Sequence, residues 1–338
     1  MYADLFWDRD EAAHQKFLDN LAPIVLFTYN RLEHTRQTID ALKANVYAAE
    51  SRLFIFSDAP KNEQAEPAVQ AVRDYLRSVD GFKEVQIFQR DENWGLARNI
   101  MDGVTSIVNR YGKIIVLEDD IVTSKYFLKY MNDALEVYKD IPKVMAVSGY
   151  AYINDCENLL DAYFLPYSGS WGWATWRRAW EGFTRKPQEV LKRYTAEDIY
   201  RFNMDGAYDY WGQVVSNVQG ERYTWAVFFY EWMFRQNGLC LYPQESMVSN
   251  IGFDGTGENC GIGKEYGKIT DDKVINRYPK IVEVDGYAYA KIREKFLALK
   301  SSGLIRLWRR LKDFFSKGVF VLCMMDFQCK GIWAGYEL

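Results

Sequence analysis

The amino-acid sequence predicts an α/β protein: a mostly parallel sheet flanked by helices. Two observations carry that expectation. Between Pro23 and Tyr150, short continuous apolar runs alternate with stretches of helical periodicity, the pattern of parallel strands buried on both faces. Each apolar run also ends in polar residues, which puts those ends on one rim of the sheet, where open α/β sheets bind ligands.

The elements follow in order. "PIVLFTYN" is a buried strand, and "RLEHTRQTIDALKA" is a helix with Leu32, Thr35, Ile39 and Leu42 at helical spacing. "RLFIFSDAP" is a second strand, stopped by Asp58 and Pro60, followed by the helix "AEPAVQAVRDYLRSV". "EVQIFQR" is the third strand and "NWGLARNIMDGVTSIVNRYG" the third helix. "KIIVLEDD" is the fourth strand, "SKYFLKYMNDALEVYKD" the fourth helix, and "KVMAVSGY" closes the series. Beyond residue 150 the pattern loosens. "SGSWGWATWRRAWEGF" is too irregular for a simple helix, whereas residues 187–236 look largely helical. Residues 252–267 hold six Gly in sixteen, so a mobile loop is expected around Asp254 and Gly255. Three stretches result: an α/β half over 1–150, a looser half of the same domain over 151–285, and a basic amphipathic helical tail over 286–338.

Composition narrows the function classes. A formal net charge of -4 gives no general attraction to nucleic acid. Five scattered Cys without a C-x-x-C pair argue against a disulfide framework or a zinc site and for a reducing compartment. No signal peptide or membrane-spanning run is visible, so the chain reads as cytoplasmic. His14 and His34 are the two histidines, which disfavours a Ser-His-Asp triad or a histidine zinc site. Neither G-x-G-x-x-G after a strand nor a Walker A loop occurs, which disfavours dinucleotide oxidoreductases and P-loop ATPases.

The sharpest local feature is the strand that runs into Glu118, Asp119 and Asp120. Three adjacent carboxylates repel, and burying any of them unpaired is costly. Hard cations such as Mg²⁺ and Mn²⁺ take one or two carboxylates plus substrate phosphates, and an acidic strand end on the ligand rim suits that use. The alternative is a solvated acidic turn leading into a helix, whose first turn favours Asp and Glu. Thr28, Asn30, Arg31 and Asp58 gather on the same rim.

Here the chain resembles nucleotide-sugar glycosyltransferases of the GT-A fold, of the type of N-acetylglucosaminyltransferase I and related bacterial polysaccharide transferases. "FTYNR", "SDAP", "NWGLARN", "VLEDD" with "SKYFLKYM", and "SWGW" carry the likeness, in that order, over roughly residues 22–260. The resemblance implies that Thr28, Asn30 and Arg31 line a nucleotide pocket and that Asp58 accepts a hydrogen bond from uracil or ribose. Arg98 would approach the base or diphosphate, Glu118 and Asp119 would lie against the donor, and Asp120 would ligate Mn²⁺ or Mg²⁺. Each has a bland alternative: Asn30 as a helix cap, Asp58 as a turn opener, Arg98 as the partner of Asp91 or Asp102. Trp171, Gly172 and Trp173 would form an acceptor wall, or else a tight core turn. The likeness also implies a UDP-sugar donor, a glycan or lipid-linked saccharide acceptor in envelope polysaccharide synthesis, and inversion at the anomeric carbon. Inversion needs a general base. Glu231, in "EWM", is the first candidate and Asp209 the second, with an i,i+4 ion pair to Arg235 as the competing reading of Glu231. The rival functions are a nucleotidyltransferase and a non-catalytic carbohydrate-binding or scaffold protein on the same fold.

The tail from Lys291 to Lys317 carries nine Lys or Arg against two acidic residues. Leu304, Leu307, Trp308, Leu311 and Phe315 share one helical face, so residues 304–322 are expected to contact an anionic membrane surface, or to pack on the core or a second copy of the chain.

Overall fold

The computed structural model describes residues 2, 3, 5, 7, 10–153, 161–257, 269 and 273–300. A short helix, α1 (Glu11–Asp19), precedes the sheet. The apolar runs then form β1 (Ile24–Thr28), β2 (Arg52–Ser57), β3 (Glu84–Gln89) and β4 (Lys113–Glu118), joined by α2 (Leu32–Lys43), α3 (Glu66–Leu76) and α4 (Gly95–Tyr111). All four strands pair in parallel, in the spatial order β3-β2-β1-β4. Their C-terminal ends therefore share one rim.

After β4 come β5 (Ile121–Thr123), α5 (Phe127–Val137), β6 (Val144–Ser148), β7 (Ala162–Leu165) and β8 (Trp173–Trp176). Then follow α6 (Arg177–Trp180), α7 (Pro187–Arg193), α8 (Ala196–Phe202), α9 (Trp211–Val218), α10 (Ala226–Arg235), β9 (Leu239–Pro243) and β10 (Val248–Asn250). β8 lies antiparallel between β4 and β6, and β9 and β7 extend the sheet to eight strands. β5 and β10 form a separate antiparallel pair. The Trp-rich segment is thus a central strand followed by one helical turn. A last helix runs over 286–300.

Alternation along the strands divides the core. Val25, Phe27, Val116 and Trp173 face α4 and the α6–α10 group. Ile24, Leu26, Ile115 and Leu117 face α2, α3 and α5. Burying each such side chain contributes about 1.5–3 kcal/mol, enough to fix the strand register, since a one-residue slip would exchange the faces. Among the described residues no helix is long and apolar enough to cross a membrane. The 304–322 stretch and loop residues 258–267 lie outside the described residues.

Candidate functional site

The strand-end rim holds a cleft lined by Thr28, Tyr29, Asn30, Arg31, Asp58, Asn93, Gly95, Asn99, Glu118, Asp119, Asp120, Thr256 and others. Its empty space, open mouth included, is about 750 Å³. β4 delivers the acidic turn, and its neighbours pin it there. Thr38 Oγ1 of α2 donates to the Asp119 carbonyl at 2.8 Å, and Ile251 N donates to the Asp120 carbonyl at 2.9 Å.

The positive partner of the acidic turn is Arg31. Its Nη2 donates to Asp119 Oδ1 and, at 2.8 Å, to Asp120 Oδ2. Burial opposes the Arg31 charge, but attraction to Asp119 and Asp120 outweighs it and raises the pKa, so the guanidinium stays charged. One arginine does not neutralise three carboxylates. Burial, then repulsion from Asp120 and Asp119, pushes Glu118 up from 4.5 to about 8. Glu118 keeps part of its surface open to the cleft and is largely protonated at neutral pH.

Among the described residues, three buried polar atoms on the cleft-lining side chains have no hydrogen-bond partner: Thr28 Oγ1, Arg31 Nη1 and Asp119 Oδ2. Leaving such groups unsatisfied costs about 1–3 kcal/mol each. Thr28, Arg31 and Asp119, which carry one hydroxyl, one donor and one acceptor left over, all line this cleft.

Asp58 forms the opposite wall, where its carboxylate organises protein rather than open space. Oδ1 accepts from Ala59 N and Trp94 N, both at 2.9 Å; Oδ2 accepts from Gly95 N at 2.9 Å and Asn93 Nδ2 at 3.3 Å. These fill the roughly four acceptor positions of a carboxylate. They also serve the first amides of α4, which has no side-chain cap of its own. A hydrogen bond from uracil or ribose to Asp58 would have to displace one of these donors, Asn93 being the weakest. Asn30 lines the cleft and does not cap α2, whose N-cap residue is Arg31.

The loop after β10 closes the acidic end. Asp254 Oδ1 accepts from Thr256 N and Oγ1, and Asp254 Oδ2 lies 3.2 Å from His34 Nε2 on α2. Gly255 has φ +90. Gly252 is required by space: a Cβ there would lie 2.2 Å from Asp120 Oδ2. Trp171 is half-buried and meets Tyr150 and Phe253 edge-to-face, with ring centres 4.7 and 5.7 Å apart. Gly172, at φ +58, packs against Val248 and Phe127.

Several expected residues lie elsewhere. Trp173 is not an acceptor wall: it is 1% exposed and packs on Trp180, Trp225 and Phe229, because strand alternation turns it into the core. Arg98 is outside the cleft lining; it stacks on Trp94 at 4.0 Å and pairs with Glu92 rather than with Asp91 or Asp102. Glu231 is 1% exposed and closed in by Arg235 Nε at 2.8 Å, Tyr194 Oη at 3.1 Å and Arg193 Nη1 at 3.5 Å. Burial raises its pKa while these partners pull it back. Asp209 accepts from Gly212 N and Asn203 Nδ2 at the start of α9. Neither carboxylate lines the cleft. Conversely, Tyr29, Asn93, Asn99, Gly252 and His34 were not foreseen, although the first three sit inside or beside the motifs that place the cleft.

The residues fit a hard divalent cation only with help from a ligand. Among the described residues no group of three or more His, Cys, Asp or Glu side chains is placed to hold a metal. The Asp120 carboxylate supplies hard oxygen donors, and diphosphate oxygens would complete the coordination.

The family model described as glycosyl transferase family 2 matches residues 24–194, from β1 to the end of α7. Among solved structures, the chain is similar to mannosyltransferase PcManGT from Pyrobaculum calidifontis in complex with GDP-Man and Mn2+. That match has 12% identity and a TM-score of 0.35 over 69% of this chain and 76% of that one. A UDP-glucose pyrophosphorylase complexed with UDP-glucose matches at 10% identity and TM-score 0.34, over 82% of this chain and 98% of that one. Galactosyltransferase LgtC, in complex with donor and acceptor sugar analogues, matches at 12% identity and TM-score 0.32, over 65% and 72%. No curated protein matches the chain in sequence.

Proposed function

From the premise that the chain belongs to glycosyl transferase family 2, we propose that it transfers a sugar from a UDP-sugar to a glycan or lipid-linked saccharide, with inversion. The observation that carries this reading is that Thr28, Arg31 and Asp119 line one cleft and each keeps a buried polar atom without a partner among the described residues. Arg31 Nη1 donates to a diphosphate oxygen while Nη2 holds Asp119 and Asp120 in place. Charge-assisted bonds of this kind are the strong ones. Asp119 Oδ2 accepts from a ribose or sugar hydroxyl. Thr28, Tyr29 and Asn30 line the nucleoside end, and the α4 amino terminus, fixed by Asp58, forms the facing wall.

Asp120, with Asp119 beside it, would hold Mn²⁺ or Mg²⁺ against the diphosphate. Such a cation supplies neutralisation of the charge that develops on the departing nucleoside diphosphate. Trp171 offers a half-buried ring at the acceptor side, suited to stacking on a sugar.

The test needs no knowledge of the acceptor. A panel of UDP- and GDP-sugars is incubated with the protein and Mn²⁺, and slow donor hydrolysis is followed. Release of UDP from one UDP-sugar is expected; pyrophosphate formation from UTP and a sugar phosphate instead would make the protein a nucleotidyltransferase.

A further inference from the structure

A second, open pocket lies between the start of α7 and the loop joining α9 to α10, lined by Arg185, Lys186, Glu189, Asn217, Arg222 and Tyr223 among others. Arg185 is built into it. Its Nε donates to the Thr224 carbonyl at 2.9 Å and its Nη2 to Asn217 Oδ1 at 2.7 Å. Asn217 is 6% exposed, and its amide donates to the Gln213 carbonyl and to Thr224 Oγ1. The guanidinium lies 3.8 Å from the centre of the Tyr223 ring.

Among the described residues this half-buried guanidinium has no carboxylate partner, and burial accordingly lowers its pKa with only Tyr223 opposing. Two of the five N–H groups of an arginine are used here, which leaves three. The acid of the pocket, Glu189, pairs with Lys186 at 3.1 Å. Arg222 is exposed and makes no ion pair among the described residues. Tyr223 is 59% exposed, with one face on Arg185. A fixed guanidinium fork, a second arginine and an aromatic ring open to solvent make a matched set for an oxyanion attached to a ring.

We propose that this pocket binds a saccharide bearing a carboxylate or phosphate, with Arg185 and Arg222 on the oxyanion and the exposed edge and hydroxyl of Tyr223 beside the sugar ring. The saccharide half of this assignment rests on the glycosyl-transfer reading; the oxyanion half does not.

Calorimetry on the full chain, without donor or metal, tests it with glucuronate, glucose 1-phosphate, acetate, inorganic phosphate and glucose. The expected result is binding of glucuronate or glucose 1-phosphate at least about fivefold tighter than acetate or phosphate, and no binding of glucose. The tighter of the two sugar acids identifies the anionic group. Saturating UDP should not compete. Arg222→Ala and Tyr223→Ala, both at exposed positions, should each weaken binding about tenfold with an unchanged Tm. Arg185→Lys keeps the charge but loses the fork, and should weaken it similarly. No oxyanion binding, equal affinity in Arg222→Ala, or competition by UDP would overturn the site. No gain of the sugar acids over acetate and phosphate would overturn the saccharide assignment alone. Failure of the glycosyl-transfer reading would instead show as absent turnover of UDP-sugars, with these binding results untouched.

Discussion

Two buried carboxylate clusters in this protein carry arginine partners, and they differ in what is left over. Around Glu231, the carboxylate, Arg235, Arg193 and Tyr194 answer one another, and none of them lines the strand-end cleft. Around Asp119 and Asp120, Arg31 serves two carboxylates with one nitrogen, and Arg31 Nη1 and Asp119 Oδ2 remain unsatisfied beside a cleft. The first cluster holds helices together; the second is arranged for something that arrives. Satisfied polar groups mark structure, and unsatisfied ones at a rim mark function.

The sharpest way to break this comparison is to exchange the effects of two variants. Asp120→Ala is expected to cut Mn²⁺-dependent UDP affinity at least about 100-fold with Tm nearly unchanged. Glu231→Gln is expected to leave UDP affinity unchanged and to cost roughly 1–3 kcal/mol of stability, since it removes the charge from between two arginines that are themselves part-exposed. Urea unfolding and UDP titration on both proteins check this, and loss of turnover in Glu231→Gln with full stability would return that residue to the base role.

A smaller effect is expected at Gly252. The Cβ of Gly252→Ala would have to push the Asp120 carboxylate aside, because it lies 2.2 Å from Oδ2. The displaced atom ends a movable side chain, so the cost falls on binding: about tenfold weaker UDP–Mn²⁺ affinity and a Tm within about 2 °C of the parent.

The effect expected at Glu118 depends on pH. Its folded-state pKa of about 8 lies above the ordinary 4.5. The protonated carboxyl therefore favours the fold fully below about 4.5, and that contribution is lost as pH rises through about 8. Glu118→Gln removes the loss. In EDTA and without nucleotide, its Tm should exceed the parent's by several degrees above pH 8 and converge with it near pH 4. Each pKa unit is about 1.4 kcal/mol, and ~1 kcal/mol moves Tm by about 2–4 °C in a chain of this size. Parallel curves at all pH values would contradict the crowding of the acidic turn.

The sequence shows the first half of this fold well because β1 to β4 are continuous apolar runs separated by amphipathic helices, with no competing pattern. It shows the second half poorly because β7, β8 and β9 are short and rich in Tyr, Trp and Leu, a composition shared with the helices around them. The acidic turn and Arg31 were legible from their position after strands. Asp58 was legible as a rim residue, but not as a carboxylate occupied by Asn93 and the α4 amides, since those donors come from 35 to 37 residues away. Glu231 misled for the same reason. Its helical stripe reveals Arg235 four residues on, but not Arg193 and Tyr194 from α7. Trp171 and Trp173 look equivalent in sequence; Gly172, at φ +58 just before β8 begins, separates them and leaves Trp171 half-buried and Trp173 in the core.

The most direct measurement is calorimetric titration of UDP into the full chain with Mn²⁺ and again with excess EDTA. If the acidic turn and Arg31 form a diphosphate site completed by a cation, EDTA should weaken UDP binding at least about tenfold. Arg31→Ala should weaken it further in either condition. Equal UDP affinity with and without EDTA, or unchanged affinity in Arg31→Ala, would contradict the account.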